Sequence, residues 1–106
     1  MEISSDIAIT SVTLINSKVL QVQFNVDWTI EDTAQLTQKL LSLTAIQVID
    51  VTQGADIETT RVKFDNSEFL LTFEEYSHSC WLECISDEDC QGLLTFQENL
   101  NRNVNH

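Results

Sequence analysis

Proline is absent from this chain, and glycine occurs twice, at Gly54 and Gly92. Tight turns must therefore be built from Asn, Asp and Ser, which tolerate positive φ or bond their own backbone. Without proline, no native cis-prolyl bond can slow folding. Basic residues are scarce as well: five Lys and Arg stand against 17 Asp and Glu, a formal charge of −12. From Phe64 to Asn101 there is no Lys or Arg, while nine Asp and Glu occur. A field of that sign repels nucleic acid and anionic lipid and favours basic partners. No apolar run approaches the roughly 20 residues that span a bilayer. The start, Met1-Glu2-Ile3-Ser4-Ser5-Asp6, is acidic and lacks the basic and apolar regions of a leader. Gly-rich phosphate loops, Walker sequences, Ser-His-Asp groupings and HExxH are missing too. These absences lead to the expectation of a cytoplasmic protein that binds neither nucleic acid nor membrane and carries no cofactor.

What is present supports a folded domain. At 106 residues, 42% of them apolar, the chain can bury a conventional core. Area scaling gives a folded surface of roughly 6,000 Å². One domain is expected over 1–106, with fraying from about residue 99 and a polar tail from Asn101 to His106. Ile7 and Ile9 alternate, then Val12 and Leu14 alternate in the opposite phase, which places a bulge near Thr10-Ser11. Asn16-Ser17 reads as a tight turn. Leu20, Val22, Phe24, Val26 and Trp28 then keep strict period two, one face buried and one wet. Thr29 caps a helix whose first turn holds Glu31 and Asp32 and whose stripe is Ile30, Ala34, Leu36, Leu40, Leu41 and Leu43.

Four strands are expected next, near Ile46–Thr52, Thr59–Asp65, Glu68–Glu74 and Ser79–Ile85, with turns at Gly54, at Asp65-Asn66-Ser67 and at Tyr76-Ser77-His78. Ser86-Asp87-Glu88-Asp89 signals a second helix, with Cys90, Leu93, Leu94, Gln97 and Leu100 on one face. The order ββ-α-ββββ-α predicts an α+β fold of two layers, an antiparallel sheet with both helices on one face. With the first hairpin taken as one bent strand, the succession resembles TATA-binding-protein-like folds in topology alone. The sign of the charge argues against DNA binding.

The densest chemistry lies between Glu74 and Cys84. Three cysteines within eleven residues, Cys80, Cys84 and Cys90, do not make a disulfide framework, and reduced, buried thiols are expected. On a strand Cys80 and Cys84 share a face but stand about 13 Å apart, too far to ligate one zinc ion. Pairing Cys84 with Cys90 needs the helix to return onto the strand end. His78 lies two residues from Cys80, roughly 6–7 Å along the strand, and the surrounding acids raise a thiol pKa rather than lower it. Glu74 and Glu75 point to opposite faces, and the acids at 87–89 are accounted for as a helix start. Trp81 alternates with Cys80 and Leu82. Either it stands on the open sheet face beside Glu83, a credible binding anchor, or it packs the core and the cysteines face out.

The segment Phe73-Glu74-Glu75-Tyr76-Ser77-His78-Ser79-Cys80-Trp81-Leu82-Glu83 resembles a family of small gammaproteobacterial proteins, the DUF3630-like group, a domain of unknown function. The resemblance implies a bacterial cytosolic protein and brings no catalytic assignment. Two functions of different class are therefore expected. The first is a non-enzymatic acidic interaction module that binds a basic protein partner or self-associates as a homodimer. Its candidate surface is Trp81, Glu74, Glu75, Tyr76, His78, Glu83, Asp87, Glu88 and Asp89. The alternative is a small enzyme or ligand-binding protein using His78, Cys80, Glu83 and Cys84, which requires those side chains to converge on a pocket.

Overall fold

A computed structural model of the chain describes residues 7–104. The elements run β1 (Ile9–Ile15), β2 (Val19–Phe24), a 3-10 turn (Ile30–Asp32), α1 (Thr33–Leu43), β3 (Ile46–Gln53), β4 (Ile57–Phe64), β5 (Ser67–Glu74), β6 (Ser79–Cys84) and α2 (Asp87–Val104). All strand pairs are antiparallel, in the order β1-β2-β6-β5-β4-β3. The α+β reading holds, and the total surface of 6302 Å² matches the scaling expectation. The first hairpin is two full strands rather than one bent one. The bulge expected near Thr10 is present, as a register shift between Ile9 and Ser11.

Turn chemistry follows the missing glycines. Asn16 and Ser17 both take positive φ, 58° and 62°, and Lys18 N donates to Ile15 O at 3.3 Å. Two successive left-handed residues make the turn whose twist matches a hairpin. Asp65, at φ 53°, rather than Asn66, carries the left-handed position between β4 and β5. His78, also at φ 53°, closes the turn into β6.

Both helices lie on one sheet face. Alternation sends Leu20 and Val22 (β2), Val62 and Phe64 (β4), Phe69, Leu71 and Phe73 (β5), and Cys80 and Leu82 (β6) to that face, where all are buried. Leu36 and Leu40 of α1 and Leu93, Phe96 and Leu100 of α2 complete the core. Phe96 meets Phe64 and Phe69 edge-on, with centroids 5.3 and 5.8 Å away. The stripe of α2 is therefore Leu93, Phe96 and Leu100; Leu94 is exposed, because Phe96 takes the core-facing position instead. Fraying from residue 99 is also corrected: α2 continues to Val104, fastened by Leu100 in the core and by Asn103 Nδ2 donating to Leu43 O at 2.5 Å. His106 and Asn105 lie outside the described residues.

The caps explain where the helices start. Thr29 Oγ1 accepts from Glu31 N at 3.3 Å, and Asp32 Oδ2 accepts from Thr29 N at 2.9 Å. Ser86 and Asp89 repeat that reciprocal arrangement: Ser86 Oγ accepts from Asp89 N at 3.3 Å and Asp89 Oδ2 from Ser86 N at 3.1 Å. Gly92 fixes how closely α2 approaches β5, since an added Cβ would stand 2.5 Å from Ser67 Cβ and closer still to its Oγ. Gly92→Ala is therefore expected to cost about 1–2 kcal/mol in urea denaturation despite its better helix propensity. Ser67→Gly in the same chain should recover most of that loss.

Candidate functional site

β6 organises the candidate surface. It runs between β2 and β5 in the middle of the sheet, with Cys80 and Leu82 under the helices and Ser79, Trp81 and Glu83 on the opposite face. Among the described residues no helix covers that opposite face, so Trp81 belongs to the open face, and the reading that packed it in the core is overturned by the strand's alternation. A row of paired residues crosses the face through Trp81: Thr13, Gln21, Trp81, Thr72, Thr59 and Thr52. The neighbouring row is Ile15, Val19, Glu83, Leu70, Arg61 and Asp50. Thr72 is only 3% exposed on this uncovered face, which requires a large side chain across it. Trp81, paired with it and itself half-buried, is the large side chain of that row.

Charge divides the face unequally. Arg61 and Lys63 stand on β4, where Arg61 binds Glu68 through Nε at 2.7 Å and Nη2 at 2.6 Å. Such an exposed pair contributes about 0–1 kcal/mol. Toward β6 and the start of α2, Glu83, Asp87 and Glu88 have no cation among the described residues. Acids without an ion pair are thus gathered at the β6–α2 end of the sheet, with Glu83 on the face of Trp81.

The nine candidate residues do not form one cluster. They fall at the two ends of β6, about 17 Å apart along the strand, with Trp81 between them. Several carboxylates already have structural work. Glu74 Oε2 accepts from Ser77 N at 2.7 Å and closes the turn. Glu75 Oε1 accepts from Ile30 N at 2.8 Å, joining the β5–β6 turn to the first helical turn. Asp89 accepts from Glu68 N at 3.0 Å as well as capping α2. Tyr76 projects at 91% exposure, and the His78 ring packs on Trp28 at 5.6 Å, which in turn packs on Phe73 at 5.5 Å. Among the described residues, Trp81, Glu83, Asp87 and Glu88, with Tyr76 and His78 at the far end, are the members whose side chains hold no hydrogen bond.

The residues of the enzyme alternative diverge. Cys80 is 1% exposed, and burial pushes its thiol well above the ordinary value. Glu83 faces the other side of the sheet. His78 lines a hollow of about 200 Å³ with Trp28, Asp27 and Gln23, away from Cys80. Cys84 is joined to Cys90 by a disulfide, with Cα atoms 5.1 Å apart. The expectation of three reduced thiols is therefore wrong for two of them. The first turn of α2 folds back onto the end of β6, the return that such a pair requires. Among the described residues, no three of His, Cys, Asp and Glu gather in a group that could hold a metal ion. No described helix is long and apolar enough to cross a membrane.

A buried carboxylate corrects the polar loop expected after Gly54, because β4 starts at Ile57 and takes Glu58 into the strand. Glu58 is 7% exposed on the helix side of β4. Its signal was available, since it alternates in phase with Thr60, Val62 and Phe64.

A family model described as "Protein of unknown function (DUF3630)" matches residues 10–102. The chain belongs to that family. No curated protein and no solved structure matches it. In this DUF3630 protein the segment that carried the resemblance, 73–83, contains the turn and the strand that hold Trp81 at the centre of the open face.

Two outcomes check this geometry. Cys84→Ser with Cys90→Ser should lower stability by about 2 kcal/mol, the expectation for closing so short a loop, when unfolding is measured under oxidising conditions. Iodoacetamide at neutral pH should leave Cys80 unmodified in the native protein and label it only after denaturation; rapid native labelling would contradict its burial.

Proposed function

We propose that this DUF3630 protein is a non-enzymatic interaction module that presents its open sheet face to a basic protein partner. One observation carries the reading: Trp81 sits half-exposed at the centre of the open face, beside Glu83, which forms no ion pair among the described residues. An aromatic anchor supplies most of the binding energy at such a site, while the surrounding charge selects the partner's sign and speeds encounter. Glu83, Asp87 and Glu88 provide the field; Glu74, Glu75 and Asp89 serve the fold that displays it. Self-association through the same face is disfavoured by two surfaces of like charge meeting. The enzyme alternative loses its support because Cys80, Glu83 and His78 point three different ways. A gammaproteobacterial source and an action in the cytoplasm belong to this reading, and the second carries a condition. Disulfides are rare in that compartment, so Cys84 and Cys90 would be a dithiol there. Thiols trapped by acid and alkylation in the source cell decide it: two labelled positions besides Cys80 support a cytoplasmic setting, and one labelled position contradicts it.

The function itself is tested by capture of the tagged protein's partner from native lysate at low and at physiological salt. A basic partner that is held at low salt and released as salt rises is expected, because exposed charges are screened beyond about 8 Å at physiological ionic strength. Trp81→Ala should weaken that complex about thirtyfold or more, the range of an interface hot spot. Association that ignores both salt and Trp81→Ala would sink the proposal.

A further inference from the structure

The other side of the sheet holds a second feature. Between α1 and the β3–β4 edge lies a groove of about 190 Å³, walled by Ala34, Leu41, Val48 and Val51 and floored by Glu58 and Thr60. The walls are largely apolar, with Thr37 and Gln38 as polar members, and suit an aliphatic chain, whereas the floor is polar. The Glu58 carboxylate accepts one hydrogen bond, from Gln53 Nε2 at 3.1 Å, although an ionised carboxylate has about four acceptor sites. No cation meets it: the ion pair among the described residues joins Arg61 to Glu68, and Arg61 and Lys63 point to the opposite face of β4. Thr60, 1% exposed, has a buried Oγ1 with no hydrogen-bond partner. A buried hydroxyl left without a partner beside a carboxylate with no cation is costly unless something polar arrives from outside.

The edge beside the groove is equally open. Among the described residues no strand lies beyond β3. Its sequence, Ile46-Gln47-Val48-Ile49-Asp50-Val51-Thr52-Gln53, has no Lys, Arg or Pro; Asp50 and the register shift between Val48 and Asp50 interrupt the edge, and Val51 to Gln53 form its regular stretch. Val48, Ile49 and Val51 are exposed at 42%, 45% and 53%.

We propose that the groove and the free edge of β3 together dock an extended, lysine-bearing peptide segment. The segment adds a strand to β3, and one lysine crosses the groove with its methylenes on Leu41, Val48 and Val51 and its ammonium at Glu58. Main-chain hydrogen bonds along an edge supply affinity in this mode, and a pocket for an alternate side chain supplies specificity. The volume fits one side chain rather than a drug-sized ligand, which needs about 300 Å³ or more. The sign is set by Glu58 and by the overall charge of −12. This extends the basic-partner reading to a second surface, and its test separates the two.

The probes are acetyl-Val-Lys-Val-amide, the same peptide with norleucine for lysine, and n-butylammonium, each titrated into ¹⁵N-labelled protein. The lysine peptide is expected to shift the amides of residues 48–53 and 58–60 and to bind about tenfold more tightly than the norleucine peptide, the worth of one hydrogen bond to a charged group. Glu58→Gln should remove that preference. Ala34→Phe, made at an exposed helix position, should fill the groove and abolish binding whether or not Glu58→Gln folds. Trp81→Ala should leave peptide binding unchanged. Equal affinity for the norleucine peptide, binding that survives Ala34→Phe, or n-butylammonium binding as tightly as the peptide would each overturn the proposal. Loss of peptide binding in Trp81→Ala alone would overturn it too, while leaving the open-face reading standing.

Discussion

The pairing of β2 with β6 is the constraint on which the rest depends. It joins residues about 60 positions apart, Val19 to Glu83 and Val22 to Cys80, and without it the first hairpin would have no place in the sheet. β6 therefore has neighbours on both sides and the helices above, so Cys80 and Leu82 are enclosed from every direction. Closing so long a loop costs entropy before its contacts form, which marks this pairing as a late and slow event in folding. Local hairpins at Asn16-Ser17 and Asp65-Asn66 form cheaply beforehand and leave the last strand to unite them. The same centrality makes the opposite side of β6 the stiffest part of the open face, and Trp81 stands there.

Much of this was legible because local patterns agreed with the global arrangement. Strict alternation from Leu20 located β2, although the pattern runs on to Trp28 and the strand ends at Phe24, and the phase change after Ile9 located the bulge. Ser86 with Asp89 marked the start of α2 within a residue. Where legibility failed, a tertiary fact had taken precedence. Alternation told which residues share a face of β6 but not which face the helices cover; that depends on where α1 and α2 pack. The stripe of α2 was misread at Leu94 because period alone does not say that Phe96 will enter between Phe64 and Phe69. Strand spacing rightly separated Cys80 from Cys84, yet the partner of Cys84 came from the next element.

Charge has two different roles in this molecule. Glu74, Glu75, Asp32 and Asp89 replace glycine and proline as fasteners: each carboxylate holds a backbone N–H at a turn or a helix start. Glu83, Asp87 and Glu88 fasten nothing. A count of acids along the sequence cannot separate these groups, since capping residues and display residues look alike until their partners are known. The distinction reduces a nine-residue candidate surface to Trp81 and a few acids at the β6–α2 end of the sheet.

The centre of the sheet and its β3 edge are secured to very different degrees. Over β6 and β5, α2 is anchored near its start by the Cys84–Cys90 bond, by Asp89 reaching Glu68 N, and by Gly92 lying close on Ser67. At the β3 flank, α1 sinks only Leu36 and Leu40 fully into the core, over an edge strand buried at one residue, Ile46. Local opening is drawn from regions with few buried contacts. The molecule is thus a rigid plate hinged to a compliant margin: one side keeps its shape against a partner, and the other can widen around whatever enters it.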